Sequence, residues 1–129
     1  KQYANIKYWG KVDYNIGLNI MKESDIILAF YYLTNPVHKY AAPNKYYEGL
    51  FLGKAILTNR GTLLSEKIIN ENTGYVIDEG ESSIEKFITD FYLGNDYIEK
   101  NRNSCNLWKE KYGDYTKEFM NKAYSKLIK

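Results

Sequence analysis

One cysteine, one histidine and two prolines stand in a chain of 129 residues, and each scarcity narrows what the chain can do. A lone Cys105 makes no intrachain disulfide and has no zinc-ligand spacing around it, so a reducing compartment, the cytoplasm, fits best. The cysteine falls in a helical pattern with Trp108 and reads as a packed thiol. No apolar run approaches the roughly 20 residues of a bilayer-spanning helix, and the first residues do not read as a secretory leader. Strong charge of one sign is missing too: 18 basic against 16 acidic residues leave a net charge of +2. Nucleic-acid binding needs a clustered basic patch. Lys and Glu instead alternate through the last third of the chain, as on solvated helix faces. Tyrosine is abundant at 14 copies, which we read as compositional drift.

What is present is a rhythm of short strands and helices. Asn5 to Trp9 is a strand candidate ended by Gly10, and Tyr14 to Lys22 reads as a helix from its context. Asp25 to Phe30 is an unbroken apolar run, the pattern of a strand covered on both faces. After a polar loop from Tyr31 to Pro43, a helix is expected from Asn44, with Asn44 as its cap and Gly53 closing it. Tyr47, Leu50 and Phe51 would share its apolar face. Ala55 to Thr58 is a buried strand, Leu63 to Ile69 a helix, and Gly74 to Asp78 a strand. Ser82 to Tyr92 is a helix capped by Ser82 or Ser83. From Asp96 onward Ile98, Cys105, Trp108, Tyr112, Tyr115, Phe119, Ala123 and Leu127 recur at helical spacing, with Gly113-Asp114 dividing two helices and Asp114 capping the second. Such an aromatic stripe reads as packing.

Alternating strands and helices of this length predict an α/β fold, a Rossmann-like parallel sheet of about four strands with flanking helices and C-terminal helices. Residues 1–129 form one domain, incomplete at its start. Open parallel sheets bind ligands at the carboxyl ends of their strands. Three segments should therefore face a ligand: Gly10 to Asp13, Tyr31 to Asn44, and Asn59 to Thr62.

The stretch Ser24-Asp25-Ile26-Ile27-Leu28, followed by Ala42-Pro43-Asn44-Lys45-Tyr46-Tyr47-Glu48-Gly49-Leu50-Phe51-Leu52-Gly53-Lys54, resembles the donor-binding C-terminal domain of GT-B glycosyltransferases of the family 4 type. Tyr8-Trp9-Gly10-Lys11-Val12 is similar to that family's aromatic-x-Gly-x-Val, and Asn72-Thr73-Gly74-Tyr75-Val76 to its Asn-x-Gly strand. Gly113-Asp114-Tyr115 is similar to its C-terminal crossover. The resemblance runs in order through nearly the whole chain. It implies binding of a nucleotide-diphospho-sugar donor for retaining transfer to an acceptor hydroxyl. It implies neither metal nor cofactor, and no Asp-x-Asp pair is present to anchor a metal-bound diphosphate. It departs from the family where Tyr40 stands in place of the first glutamate of a pair, the one that meets the donor sugar, and where Ala55 replaces a proline.

Under this resemblance Glu48 is the leading donor-binding residue. Four residues after Asn44, it shares a side of the helix with it and can accept both ribose hydroxyls. The plainer alternative is a helix-surface glutamate. Asn44 and Lys45 open the same helix, where free N–H groups and the dipole favour a diphosphate; Lys45 reads equally as a solvated lysine. Gly61 suits close approach of backbone to phosphate, or a simple turn. His38 is a sugar contact or a solvated loop histidine, and Val12 lies where the family's backbone meets the base. No catalytic residue is assigned.

The chain opens on Lys1 without a methionine, and we expect it to be a piece of a longer protein lacking the acceptor domain, two early strands and a helix. Alone it should not transfer sugar. A strand at Asn5 to Trp9 would then pair directly with Asp25 to Phe30, or two chains would associate through the bare sheet edge. Peripheral contact with the inner face of a membrane is compatible with this reading. Two alternatives are a nucleotide-sugar epimerase, which would need more acidic and histidine groups, and a non-catalytic nucleotide-binding or interaction module of Rossmann or flavodoxin-like fold. A phosphorylatable receiver of that fold would need clustered acids at strand ends.

Overall fold

The computed structural model describes residues 4–114, 117–118, 121–122 and 125. Helix α1 (Tyr14–Glu23) leads into strand β1 (Ile26–Leu28), and a loop with a 3-10 turn at Pro36–Tyr40 leads to α2 (Asn44–Leu52). Then come β2 (Ala55–Asn59), α3 (Leu63–Glu71), β3 (Gly74–Ile77), α4 (Glu81–Leu93) and α5 (Tyr97–Leu107), continued by a π-helical segment at Trp108–Gly113. The fold is α/β. Among the described residues there are three strands, parallel in the order β1-β2-β3, with Ile27 opposite Ile56 and Leu57 opposite Tyr75.

The expected fourth strand is not formed. Residues 6–10 adopt no regular element and are exposed, Tyr8 at 91%. An isolated strand is unstable without pairing partners or a covered face, and this segment has gained neither; Lys7 instead lays its ammonium 3.5 Å from the centre of the Trp9 ring. The expected pairing with β1 is therefore overturned. Strand β1 is also shorter than its apolar run, and Leu28 is 53% exposed, so cover on both faces fails at that position. Ile27 and Ala29 do point into the core.

That core lies on one face of the sheet. Tyr46 and Leu50 of α2 and Leu64 and Ile68 of α3 close over Ile27, Ala29 and Ile56. Each fully buried aliphatic side chain there contributes about 1.5–3 kcal/mol. The buried side of α2 is thus Tyr46, Gly49 and Leu50, not Tyr47, Leu50 and Phe51. Tyr47 and Phe51 turn toward the C-terminal segment and meet Tyr112 and Trp108 edge-on. On the opposite face Tyr75 packs against Phe87 and Phe91 of α4.

Helix ends follow local chemistry. Gly53 closes α2 at φ 65°, a left-handed conformation that favours glycine. Thr62 and Ser65 form a reciprocal capping box at the start of α3. Three expected caps are corrected. Pro43, extended at ψ 142°, holds the cap position of α2, and Asn44 is already its first helical residue. Gly80 precedes α4, so Ser82 and Ser83 lie within the helix. Asp114 has helical dihedrals and directly follows the π segment, so Gly113-Asp114 does not divide two capped helices. Of the expected stripe, Trp108 and Tyr112 pack against the core; Tyr115, Phe119, Ala123 and Leu127 lie outside the described residues.

Helix α5 closes the amino-terminal end of the sheet. Asn101 Oδ1 accepts from the Ala55 N–H at 2.6 Å, Ser104 Oγ donates to the Lys54 carbonyl at 3.0 Å, and Asn103 Nδ2 donates to the Asn72 carbonyl at 3.0 Å. Ser104 is fully buried.

Two phenols give the fold a pH limit. Burial, helped by the nearby Tyr112, pushes the Tyr46 hydroxyl well above its ordinary pKa of 10.0. Thr73 pulls the other way, although among the described residues Tyr46 Oη and Thr73 Oγ1 each lack a partner in good hydrogen-bond geometry. Tyr75 is raised by burial first and then by its 2.8 Å bond to Asp96. A raised phenol pKa favours the folded state fully below the unfolded value of about 10, and that contribution is lost as pH climbs toward the folded value. Thermal stability should therefore fall from about pH 10 upward. Tyrosinate absorbance from these two residues should appear only with unfolding, and Tyr46→Phe should flatten the fall.

Candidate functional site

Helices α1 and α2 each run back from the carboxyl side of the sheet to the start of the next strand, so their first residues lie on the ligand side predicted by the topology. Between them opens a cleft of about 480 Å3, lined by Tyr14, Asn44, Tyr47, Glu48, Phe51 and Trp108. Asn44 and Glu48 are thus brought together, as the four-residue spacing implies. Glu48 is half-buried, and its Oε1 accepts a 3.0 Å hydrogen bond from the Tyr14 hydroxyl. That bond is the main reason the Tyr14 phenol is held above its ordinary pKa, with slight desolvation and the carboxylate's charge adding to it.

The cleft thus offers one carboxylate and one amide against four aromatic rings. A carboxylate can accept two adjacent hydroxyls, and the rings offer faces or edges to a planar group. Behind the wall, the Lys67 ammonium sits within 5.2–5.6 Å of the centres of Tyr46, Tyr47 and Tyr112 and donates to Tyr112 Oη at 2.6 Å. Burial pulls its pKa down, but the bond to Tyr112 and the surrounding oxygens outweigh this and raise it. Lys67 therefore stays charged and fixes the rings that back the cleft.

The other expected residues do not line this cleft. Lys45 is exposed on the first turn of α2. Val12 stands just before α1, two positions from Tyr14, and packs back toward Gly17. His38 belongs to the 3-10 turn, where its Nδ1 lies 2.8 Å from the Tyr32 carbonyl and its ring meets Tyr31 edge-on. Gly61 has φ 93°, and a Cβ there would come within 2.7 Å of Leu33 Cδ1, so Leu33 occupies the space over it.

A second polar group ties the strand ends together. Asn59, fully buried, accepts from the Tyr31 N–H at 2.7 Å and donates to the Tyr31 carbonyl and to Glu79 Oε1. The same Glu79 oxygen accepts from the Leu33 N–H, and Arg60 pairs with Asp78 at 2.8 Å. This network holds the loop that carries His38 over the end of β2.

Sequence reasoning missed Tyr14, Tyr47, Phe51 and Trp108 as lining residues. The aromatic spacing was visible, but which rings face the cleft depends on how α1, α2 and the π-helical segment at Trp108–Gly113 lie beside one another. Such segments recur at functional sites. Comparison with protein-family models, with curated proteins and with solved structures finds no match. Among the described residues, no helix is long and apolar enough to cross a membrane, and no group of three acidic, histidine or cysteine side chains is placed to hold a metal.

Proposed function

We propose that the Glu48 cleft binds the nucleoside part of a nucleotide-diphospho-sugar, and that the chain is the donor-binding part of a glycosyltransferase. The observation that carries this reading is the Glu48 carboxylate midway along α2, in a cleft with Asn44 and aromatic rings. In it, Glu48 accepts the ribose hydroxyls, the rings of Tyr14 or Trp108 cover a planar base, and the first turn of α2, with Asn44 and Lys45, faces the diphosphate. Gly61, His38 and Val12 lie outside this cleft. The transfer chemistry rests on the resemblance of Pro43-Asn44-Lys45 through Gly53-Lys54 to family 4 enzymes, with an acceptor domain supplied from outside this chain. A cytoplasmic setting at the inner face of a membrane suits that role. Association of two chains at the bare β1 edge belongs to the same proposal.

Calorimetry with UDP, GDP and ADP against inorganic phosphate tests it. One nucleotide should bind and phosphate should not compete appreciably. Glu48→Ala should weaken that nucleotide by about 1.5–3 kcal/mol, the loss of charged hydrogen bonds. Equal affinity in the variant removes Glu48 from the site.

A further inference from the structure

Tyr14 and Glu48 are 34 positions apart, yet their 3.0 Å hydrogen bond joins the first residue of α1 to the middle of α2 across the cleft. The bond occupies an oxygen of the carboxylate that a ligand would use. Tyr14 is otherwise lightly held: 65% of it is exposed, and α1 contains no buried residue. The helix carries no acidic residue in its first turn and no side-chain cap, so its N-terminal end has little of its own to fix it.

We propose that Tyr14 is a latch on this cleft, closing it by bonding Glu48 and yielding to a ligand with two adjacent hydroxyls. The proposal rests on the nucleotide reading given above. A single phenol O–H offers the carboxylate one donor, whereas a ribose cis-diol offers two, one for each oxygen. A ligand hydroxyl that takes the latched oxygen only matches the Tyr14 bond it displaces, and the net gain comes from the hydroxyl on the second oxygen. A diol gains a second charge-assisted bond, and the freed Tyr14 ring remains beside the cleft as an aromatic wall.

The test is calorimetry on the whole chain with UDP, GDP and ADP and with their 2′-deoxy counterparts. The proteins are wild type, Tyr14→Phe, Glu48→Gln and the double variant. Phenylalanine keeps the ring and removes only the hydroxyl, and circular dichroism checks that α1 persists. Tyr14→Phe should bind the preferred ribonucleotide about three- to tenfold more tightly, since no bond must be broken first. In the Glu48→Gln background the same change should have a smaller effect, because the charged acceptor of the latch is gone. Wild type should prefer the ribonucleotide to its 2′-deoxy form. Binding by wild type that is unchanged or weakened in Tyr14→Phe overturns the latch while leaving the nucleotide site standing. Absence of nucleotide binding in both wild type and Tyr14→Phe overturns the nucleotide reading and the latch with it.

Discussion

Replacing Gly74 by alanine should lower the stability of the domain by about 3 kcal/mol or more, because added bulk here meets backbone. A Cβ at this position would lie 1.9 Å from the Ile56 carbonyl oxygen and 2.8 Å from the Ile56 nitrogen. Gly74 opens β3 directly opposite Ile56 of β2, and the neighbouring Ile56 N–H donates to the Thr73 carbonyl. No rotamer change relieves the overlap. The two central strands must separate, which breaks ladder bonds beneath the core. Gly49→Ala is the instructive contrast, since its Cβ would meet side-chain atoms and no strand backbone: Ile56 Cδ1 and Cγ1 at 2.9 and 3.0 Å and Ile27 Cδ1 at 3.5 Å. The Ile56 side chain can turn aside, so the cost should be nearer 1 kcal/mol. Urea titrations of both variants check this: the midpoint should drop far more for Gly74→Ala, with a similar slope.

Asn59→Ala should cost about 3 kcal/mol, for a different reason. The residue packs no apolar surface, but it satisfies both the N–H and the carbonyl of Tyr31 and one oxygen of Glu79. Alanine leaves two half-buried backbone groups without these partners, each loss worth about 1–3 kcal/mol where water cannot replace it. Asn59→Asp separates the roles. It keeps the acceptor for the Tyr31 N–H, loses the donor, and sets a second carboxylate against Glu79. Its instability should therefore ease as pH is lowered and one carboxylate takes a proton. Thermal melts of both variants across the acid range distinguish lost donation from charge repulsion.

The elements most readable from sequence were those fixed by short-range chemistry. Gly53 after Leu52 marks the end of α2 because the closing residue needs a left-handed backbone, and Ala55 to Thr58 is legible as a strand because it is buried on both faces. The candidate strand at Asn5 to Trp9 misled because β propensity expresses fit to a neighbouring strand, and no neighbour pairs with it. Within the candidate site, helical spacing put Asn44 and Glu48 on one side of α2, and the resemblance to family 4 enzymes singled them out. Tyr14 was not legible, since its bond to Glu48 spans 34 positions and depends on where α1 lies beside α2. Asn59 was not legible either: its partners, Tyr31 and Glu79, sit at the ends of two other strands.

The seal that α5 places on the amino-terminal end of the sheet has a consequence for how the protein is made. Ala55, Lys54, Thr73 and Asn72 all find hydrogen-bond partners on Asn101, Asn103 or Ser104, although the last strand of the sheet is complete in sequence at Ile77, before α4 and α5. While the chain is growing on a ribosome, its strands can collapse under α2 and α3 but their first residues stay open to water. Only when Ser104 has cleared the exit tunnel can the last groups be closed. The sheet is thus finished from behind, by a helix that arrives after all three described strands.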